Sequence, residues 1–149
     1  MDSVVVYVSG VFDLFHRGHV ELLRRARKYG THLVVGVNSD LITSRYKRKP
    51  FFSEDDRLAI VRSCKYVDLA FIATSLNLRN YIVEHGVKKI VHGDDWEHHS
   101  YLRQIGLDEA FIERREIEMI YLPYWNGIST SQIIERVARP TSDMREIRA

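Results

Sequence analysis

Short apolar runs alternate with amphipathic segments along most of the chain. Residues 3–9 form an apolar, β-branched run that ends at Gly10, and residues 19–29 follow with apolar side chains three or four positions apart. The first pattern is typical of a strand buried in a sheet, and the second of a helix with one buried face. Both patterns recur, and they predict strands at residues 3–9, 31–38, 67–73, 88–92 and 117–122 and helices at residues 19–29, 53–63, 76–85 and 129–137.

The order of these elements indicates one α/β domain. Strands separated by helical segments require right-handed crossovers, which produce a parallel, doubly wound sheet. We therefore expect a single domain with a five-stranded parallel sheet in residues 1–138. Gly30 and Gly86 follow two of the helices and are expected to be C-caps, and residues 97–115 are expected to be helical in part. Residues 139–149 show no periodicity, and we expect them to form a disordered tail.

Composition supports a folded domain and excludes several other classes of protein. The chain has 149 residues, of which 45% are hydrophobic and 28% are charged, as in ordinary globular domains. Cys64 is the single cysteine, which excludes an intrachain disulfide and a zinc site of several cysteines. No apolar stretch approaches the roughly 18 residues of a membrane span, and no basic segment precedes a long apolar run near residue 1. We therefore expect a soluble, cytoplasmic protein with no membrane partner.

The charged residues nearly balance, with 22 Lys and Arg against 20 Asp and Glu and a net charge of +2. This balance gives no reason to expect a nucleic-acid partner. The exception is a local basic cluster formed by Arg45, Lys47, Arg48 and Lys49. Such a cluster can bind phosphate groups, or it can be an ordinary solvated loop.

Ligands of doubly wound sheets bind at the carboxyl ends of the strands. The predicted strands therefore point to residues 9–19, 38–49, 92–96 and 123–131 as the binding segments. Nearly all the unusual combinations of residues in the chain fall within these four segments.

The first segment contains two histidines around a glycine, His16, Gly18 and His19, at a predicted junction between a strand and a helix. The start of a helix offers free N–H groups, and Gly18 lets the backbone approach a ligand closely. Two imidazoles placed there can donate hydrogen bonds to phosphoryl oxygens as charge develops on them. The alternative is a zinc site that takes its third ligand from His92, His98 or His99, which we otherwise expect to be surface or packing residues. The spacing across a glycine favours phosphate.

Ser129 and Thr130 stand at the predicted start of the last helix. Two hydroxyls beside free N–H groups can form a cup for an anion, although a serine there is also common as a plain N-cap. Gly127, two residues earlier, favours phosphate binding.

The pattern G-x-F-D-x-x-H-x-G-H at residues 10–19 resembles the signature of the cytidylyltransferase branch of the nucleotidyltransferase superfamily, and glycerol-3-phosphate cytidylyltransferases in particular. Similar motifs follow in the family's order, namely N-S-D at 38–40, K-R-K-P-F-F-S at 47–53 with Arg57 after it, Y-V-D at 66–68, G-D-D-W-E at 93–97 and G-I-S-T-S at 127–131. The resemblance covers residues 4 to about 137 and implies a Rossmann-like fold.

The resemblance also implies roles for individual residues. His16 and His19 would bind the triphosphate and stabilise the transition state, and Lys47 would neutralise phosphates, with Arg48 and Lys49 as rivals for that role. The nucleotide would be bound by Gly10, Val11, Phe12, Asp13, Gly18, Asp94, Gly127, Ile128, Ser129 and Thr130. The acceptor would be bound by Lys49, Arg57, Trp96, Tyr124 and Trp125. Asp13 would orient a histidine or hold Mg²⁺ through water, and Asp94 would position the acceptor or a group of the nucleotide.

One departure from the family's pattern concerns the segment before the last helix. The family usually has R-T-E-G-I-S-T where this chain has Tyr124-Trp125-Asn126 before Gly127. Tyrosine cannot replace the guanidinium fork of an arginine that contacts phosphate. Either another cation such as Arg17, Arg57 or Lys65 takes over, or the acceptor differs from glycerol phosphate.

The activity that the resemblance implies is transfer of CMP from CTP to a small phosphorylated alcohol similar to glycerol 3-phosphate, with release of pyrophosphate. It also implies Mg²⁺ bound with CTP, no dedicated metal site in the protein, and a homodimer. An ATP-dependent adenylyltransferase of the heptose-phosphate type is the first alternative, and the G-D-D-W-E motif disfavours it. A nucleotide-binding regulatory module without catalysis is the second, and the missing arginine leaves it open.

Overall fold

A computed structural model describes residues 2–95 and 97–139, in which helices pack on a five-stranded sheet. The strands are β1 (Val5–Gly10), β2 (His32–Asn38), β3 (Leu69–Ala73), β4 (Val87–Gly93) and β5 (Glu118–Leu122). The helices are α1 (Arg17–Arg27), α2 (Asp40–Ser44), α3 (Glu54–Arg62), α4 (Arg79–His85), α5 (His98–Gln104), α6 (Glu109–Arg115) and α7 (Thr130–Val137).

All neighbouring strands are parallel, and their order across the sheet is β3-β2-β1-β4-β5. The chain first builds outward from β1 through β2 to β3, and then continues on the other side of β1 with β4 and β5. The topology therefore reverses between β1 and β4, which creates a crevice at the carboxyl ends of these two strands. The predicted α/β fold with a doubly wound, five-stranded parallel sheet is confirmed.

Two hydrophobic clusters cover the two faces of the sheet. Val6 and Val8 of β1 belong to the cluster that also contains Leu23 of α1, whereas Tyr7 belongs to the cluster around Ile82 of α4. Successive side chains of a strand point to opposite faces, so β1 is buried on both sides. This double burial fixes the position of the segment that leaves β1 and enters the crevice.

Every predicted strand and helix is present, with ends that differ by a few residues from the prediction. The short helix α2, which Ser39 caps, was not predicted. Gly86 caps α4 in the left-handed conformation as expected. Gly30 is not a C-cap, because α1 already ends at Arg27. Gly30 instead passes so close to Val4 that an added Cβ would lie 2.4 Å from the Val4 carbonyl oxygen.

The predicted tail lies almost entirely outside the described residues, since the description ends at Arg139. Among the residues that are described, no helix is both long enough and apolar enough to cross a membrane.

Candidate active site

A cavity of about 830 Å³ opens at the crevice, with walls from the segments that follow β1, β2, β4 and β5. The predicted site residues on its walls are Gly10, Val11, Phe12, Asp13, His16, Gly18, His19, Lys47, Tyr124, Trp125, Gly127, Ile128, Ser129 and Thr130. Asp94, Lys49 and Arg57 are not on the walls, and Trp96 lies outside the described residues.

The two histidines of the first segment are fixed by backbone hydrogen bonds. Nδ1 of His16 accepts from the N–H of Gly18 at 2.9 Å, and Nδ1 of His19 accepts from the N–H of His16 at 3.1 Å. His16 is thereby the N-cap of α1. Because each Nδ1 is an acceptor, each neutral ring carries its proton on Nε2. Both histidines therefore keep Nε2–H as their remaining hydrogen-bond donor.

The surroundings of the histidines keep them neutral. Burial, together with the neighbouring His16, lowers the pKa of His19 to about 3, and burial also lowers the pKa of His16. The two ring centroids are only 4.0 Å apart. A Cβ on Gly18 would lie 2.7 Å from the His16 ring and 2.9 Å from the Ile128 carbonyl oxygen. Glycine is therefore required here for the approach of the ring and of the last loop.

The start of α7 faces the same cavity. Nε2 of His16 lies 3.3 Å from Oγ1 of Thr130, whose hydroxyl donates to the carbonyl oxygen of Asp13 at 3.3 Å. Ser129 is the N-cap of α7 and exchanges two hydrogen bonds with Gln132 in a capping box. The plain cap is therefore present, and the N–H groups of Thr130 and Ser131 in the same turn have no acceptor within the helix.

Asp13 holds the basic loop against the cavity. Its buried carboxylate accepts from the N–H groups of Phe51 and Phe52 at 2.8 and 3.0 Å and from Arg48 at 2.9 Å. Burial would raise the pKa of Asp13, but these donors outweigh burial and lower it. The residues on either side of Asp13, Phe12 and Leu14, adopt the left-handed conformation with φ of 56° and 49°. Such strain persists only where surrounding contacts enforce it, as these hydrogen bonds do.

The basic loop places two of its cations on the cavity wall. Lys47 and Arg48 line the cavity, whereas Lys49 is exposed away from it. Lys47 is also near enough to act electrostatically on the imidazoles of His19 and His92. The loop therefore brings positive charge close to His19 and His92, where it further disfavours their protonation.

Arg57 is placed in the core and not at the acceptor side of the cavity. It is fully buried, and its guanidinium donates to the carbonyl oxygens of Val11, Asn38 and Phe52 and to the carboxylate of Asp40. Because Arg57 is fully buried and four of its five N–H donors are engaged, it is not available to bind an acceptor or to replace the family's arginine. Its position ties together the segments that follow β1 and β2.

A profile of the family described as Cytidylyltransferase-like matches residues 7–136. The chain belongs to the cytidylyltransferase-like family. The chain is therefore a cytidylyltransferase of the nucleotidyltransferase class, as the motifs predicted.

Similar proteins within the cytidylyltransferase family agree with this assignment. Glycerol-3-phosphate cytidylyltransferase of Bacillus subtilis is 33% identical over 139 residues, which cover 93% of this chain and 98% of that protein. Choline-phosphate cytidylyltransferase A of Rattus norvegicus is 36% identical over 91% of this chain but only 37% of its own length. Among solved structures, a lipopolysaccharide core biosynthesis protein of Thermoplasma volcanium has a TM-score of 0.69 at 25% identity, over 84% of this chain and 100% of that one.

The cavity wall of this cytidylyltransferase is aromatic where the family usually has an arginine. Trp125 folds back so that an added Cβ on Gly127 would fall within the indole, and the Arg17 guanidinium lies 5.0 Å from the indole centroid. Arg17 is therefore stacked on the outside of Trp125. Tyr124 stands beside Asp95, and partial desolvation together with that carboxylate raises the pKa of Tyr124 to about 12. Tyr124 is consequently a neutral phenol at physiological pH.

Arg25 and Asp95 are two charged wall residues to which the sequence analysis gave no role in the site. Arg25 donates to the carbonyl oxygen of Pro123 at 2.8 Å and so supports the aromatic segment. It lies on α1 at position i+7 from Gly18, so helical periodicity starting at Gly18 could have placed it on the same face. Both acidic residues are exposed, but Asp95 lines the cavity and its neighbour Asp94 does not. The sequence alone does not show which of two adjacent aspartates in a turn faces the cavity.

Proposed function

We propose that this cytidylyltransferase transfers CMP from CTP to a small phosphorylated alcohol and releases pyrophosphate. The observation that carries the proposal is the convergence on one cavity of two Nε2–H donors, from His16 and His19, and the start of α7. These are neutral donors and dipoles of the kind that stabilise charge developing on phosphoryl oxygens.

In this mechanism, an oxygen of the acceptor phosphate attacks the α-phosphorus of CTP. The new bond joins that oxygen to the α-phosphorus, the bond from the α-phosphorus to the bridging oxygen of the β-phosphate breaks, and pyrophosphate leaves with the electron pair. A phosphate monoester is already a competent nucleophile, so no residue has to remove a proton. His16 and His19 donate to the oxygens of the reacting phosphate, and Lys47 and Arg48 offset the charge of the two substrates.

Mg²⁺ is the ion that accompanies a nucleoside triphosphate in such reactions, and the cavity offers few groups to hold it alone. Asp13 has both carboxylate oxygens engaged by hydrogen bonds. Asp95 is the other carboxylate on the described part of the wall. One carboxylate with substrate phosphates is a usual Mg²⁺ environment, so the residues fit an ion that enters with CTP.

The acceptor is proposed to differ from glycerol 3-phosphate. Tyr124 and Trp125 replace a charged wall by an aromatic one, on which the hydroxyls of a small polyol would find few partners. Aromatic faces next to the Asp95 carboxylate suit a less hydrated or cationic alcohol. The family includes proteins named for choline phosphate and ethanolamine phosphate, which have such head groups.

The test is release of pyrophosphate from CTP or ATP in the presence of glycerol 3-phosphate, phosphocholine or phosphoethanolamine. We expect turnover with CTP and a higher kcat/KM for an amino-alcohol phosphate than for glycerol 3-phosphate. A preference for ATP would replace cytidylyl transfer by adenylyl transfer. Binding of CTP without turnover of any acceptor would favour the regulatory module. Glycerol 3-phosphate as the best acceptor would refute only the argument from the aromatic wall.

A further inference from the structure

Three side chains of metal-binding type converge on α5 and α6, on a surface that does not contribute to the wall of the cavity. They are His98, His99 and Glu109, and one ligand atom from each lies within 4.8 Å of the other two. Nε2 of His98 is 2.8 Å from Oε1 of Glu109, and Nδ1 of His99 is 3.9 Å from the same oxygen. The phosphate chemistry described above uses none of these residues.

We propose that His98, His99 and Glu109 form a binding site for a divalent transition metal of the Zn²⁺ type. Two imidazole nitrogens and a carboxylate oxygen are a common set of three protein ligands for such ions. With metal–ligand bonds of about 2.0–2.2 Å in a tetrahedral arrangement, the ligand atoms stand roughly 3.3–3.5 Å apart. The observed distances between the ligand atoms lie on both sides of this range, at 2.8 Å, 3.9 Å and at most 4.8 Å. Shifts of about an ångström in the side chains would therefore bring the three atoms to the spacing that an ion requires.

The side chains that must move to close the site are exposed, whereas the backbone that carries the two histidines is held in place. The side chains of His99 and Glu109 are 66% and 60% exposed, so they can rotate without disturbing the core. The backbone that carries the histidines is fixed, because the Glu97 carboxylate accepts from the N–H groups of His99 and Ser100 at 2.9 and 2.8 Å. The two rings are therefore presented together before any ion arrives, which reduces the cost of forming the site.

Tyr121 orients the His98 ring for this role. Its hydroxyl lies 2.6 Å from Nδ1 of His98, and Tyr121 belongs to β5, a rigid part of the sheet. The 2.8 Å contact with Glu109 is a hydrogen bond that Nε2–H donates to the carboxylate. Binding of an ion displaces that proton and selects the other tautomer, in which Nδ1–H donates to the Tyr121 oxygen and the lone pair of Nε2 is available to the ion. A hydrogen bond of this kind on the other ring nitrogen is characteristic of histidines that bind metals. The competing interpretation is a simple ion pair between His98 and Glu109, which needs neither His99 nor Tyr121.

The experiment titrates the full-length, chelator-treated protein with Zn²⁺ by calorimetry and with Co²⁺ by visible absorption. We expect one equivalent of Zn²⁺ per chain and the intense absorption of a four-coordinate Co²⁺ complex. His99→Gln and Glu109→Gln should each weaken binding at least about tenfold, and Tyr121→Phe about 10–100-fold. His32→Gln, at an exposed histidine elsewhere, is the matched control and should bind like the wild type.

Three results would overturn the proposal. The first is a Zn²⁺ titration that does not saturate at one equivalent per chain, as expected of scattered surface histidines. The second is unchanged binding in His99→Gln and Glu109→Gln. The third is loss of binding in His16→Ala with retention in His99→Gln, which would move the ion to the cavity and support the zinc alternative for that pair. Circular dichroism of each variant excludes unfolding as the cause of a loss.

Discussion

Replacement of Asp13 by asparagine tests whether its carboxylate holds the basic loop in place. Asparagine has the same shape, but it keeps one acceptor oxygen and puts an NH₂ group where the second oxygen was. One of the N–H groups of Phe51 and Phe52 would then face another donor, and Arg48 would lose its ionic partner. The change removes charge and one acceptor while leaving the volume of the buried side chain unchanged.

The expected loss of stability follows from these contacts. A hydrogen bond to a buried charged acceptor contributes about 1.5–3 kcal/mol, and one of the two from the backbone is lost. The Arg48 side chain is 42% exposed, so its ion pair adds only a few tenths of a kcal/mol. We therefore expect Asp13→Asn to lower the free energy of unfolding by about 2–3 kcal/mol and Tm by roughly 5–10 °C.

The assay combines urea unfolding at pH 7.5 with steady-state kinetics. Loss of the loop's support should raise KM for CTP and lower kcat/KM, because Lys47 and Arg48 are no longer held at the cavity. Asp55→Asn, an exposed carboxylate in the first turn of α3, is the matched control and should change stability by less than about 0.5 kcal/mol.

A pH series on the same variants is a second test of the role of Asp13. Because the folded pKa of Asp13 is lowered, its stabilisation is present above about 3.9, the ordinary pKa, and is lost as the pH falls through the folded value. If Asp13→Asn matched Asp55→Asn in both stability and kcat/KM, the role of Asp13 as the holder of the loop would be wrong.

The remaining predictions concern His16, His19, Arg57 and Tyr124. His16→Ala and His19→Ala should each reduce kcat about 10²–10³-fold in the pyrophosphate assay with the fold preserved, and near wild-type turnover would exclude their role as donors. The free energy of unfolding of the wild type should fall as the pH drops from about 6.5 toward 3. The reason is that His19, with its pKa of about 3 in the folded chain, takes up a proton in this range only when the chain unfolds. Equilibrium unfolding of His19→Gln should show a weaker pH dependence over the same range. Arg57→Lys should destabilise the fold by about 3 kcal/mol or more, since buried carbonyl groups and Asp40 lose their donor, and a variant of wild-type stability with only a raised acceptor KM would contradict its position in the core. Tyr124→Arg should improve the use of glycerol 3-phosphate or tighten CTP binding while impairing the native acceptor, and unchanged relative kcat/KM values across the acceptors would exclude Tyr124 as a determinant of specificity.

Much of the fold was predictable because burial imposes periodicity. The five strands and their helices could be read from runs such as residues 31–38, and the parallel order followed from the alternation of the two kinds of element. The helix α2 has five residues, too few to show a period, and was missed. Gly30 was misassigned because a glycine required by the close approach of a distant carbonyl looks in the sequence like one required by a helix end.

The site was predictable where its residues are neighbours in the sequence. His16, Gly18 and His19 interact within one turn, so their spacing carried the information. Arg57 donates hydrogen bonds to carbonyl groups that are far away in the chain, those of Val11 and Asn38. Only the packed fold shows that its guanidinium is engaged there and is not available to a ligand. A basic residue close to a binding loop has the same appearance in the sequence whether it serves the ligand or the loop.

His16 stabilises the fold by capping α1 and is also the residue whose Nε2–H faces the cavity. In many enzymes the residues of the active site reduce stability, so that replacing them raises the free energy of unfolding and abolishes activity. Here the same Nδ1 that fixes the tautomer also satisfies the first turn of a helix, and loss of an N-cap costs about 0.5–2 kcal/mol. Selection for a stable fold alone would therefore tend to retain a capping side chain at this position. A screen for thermostable variants of this chain should reject side chains that cannot cap α1 at position 16, such as alanine, even when it applies no selection for activity.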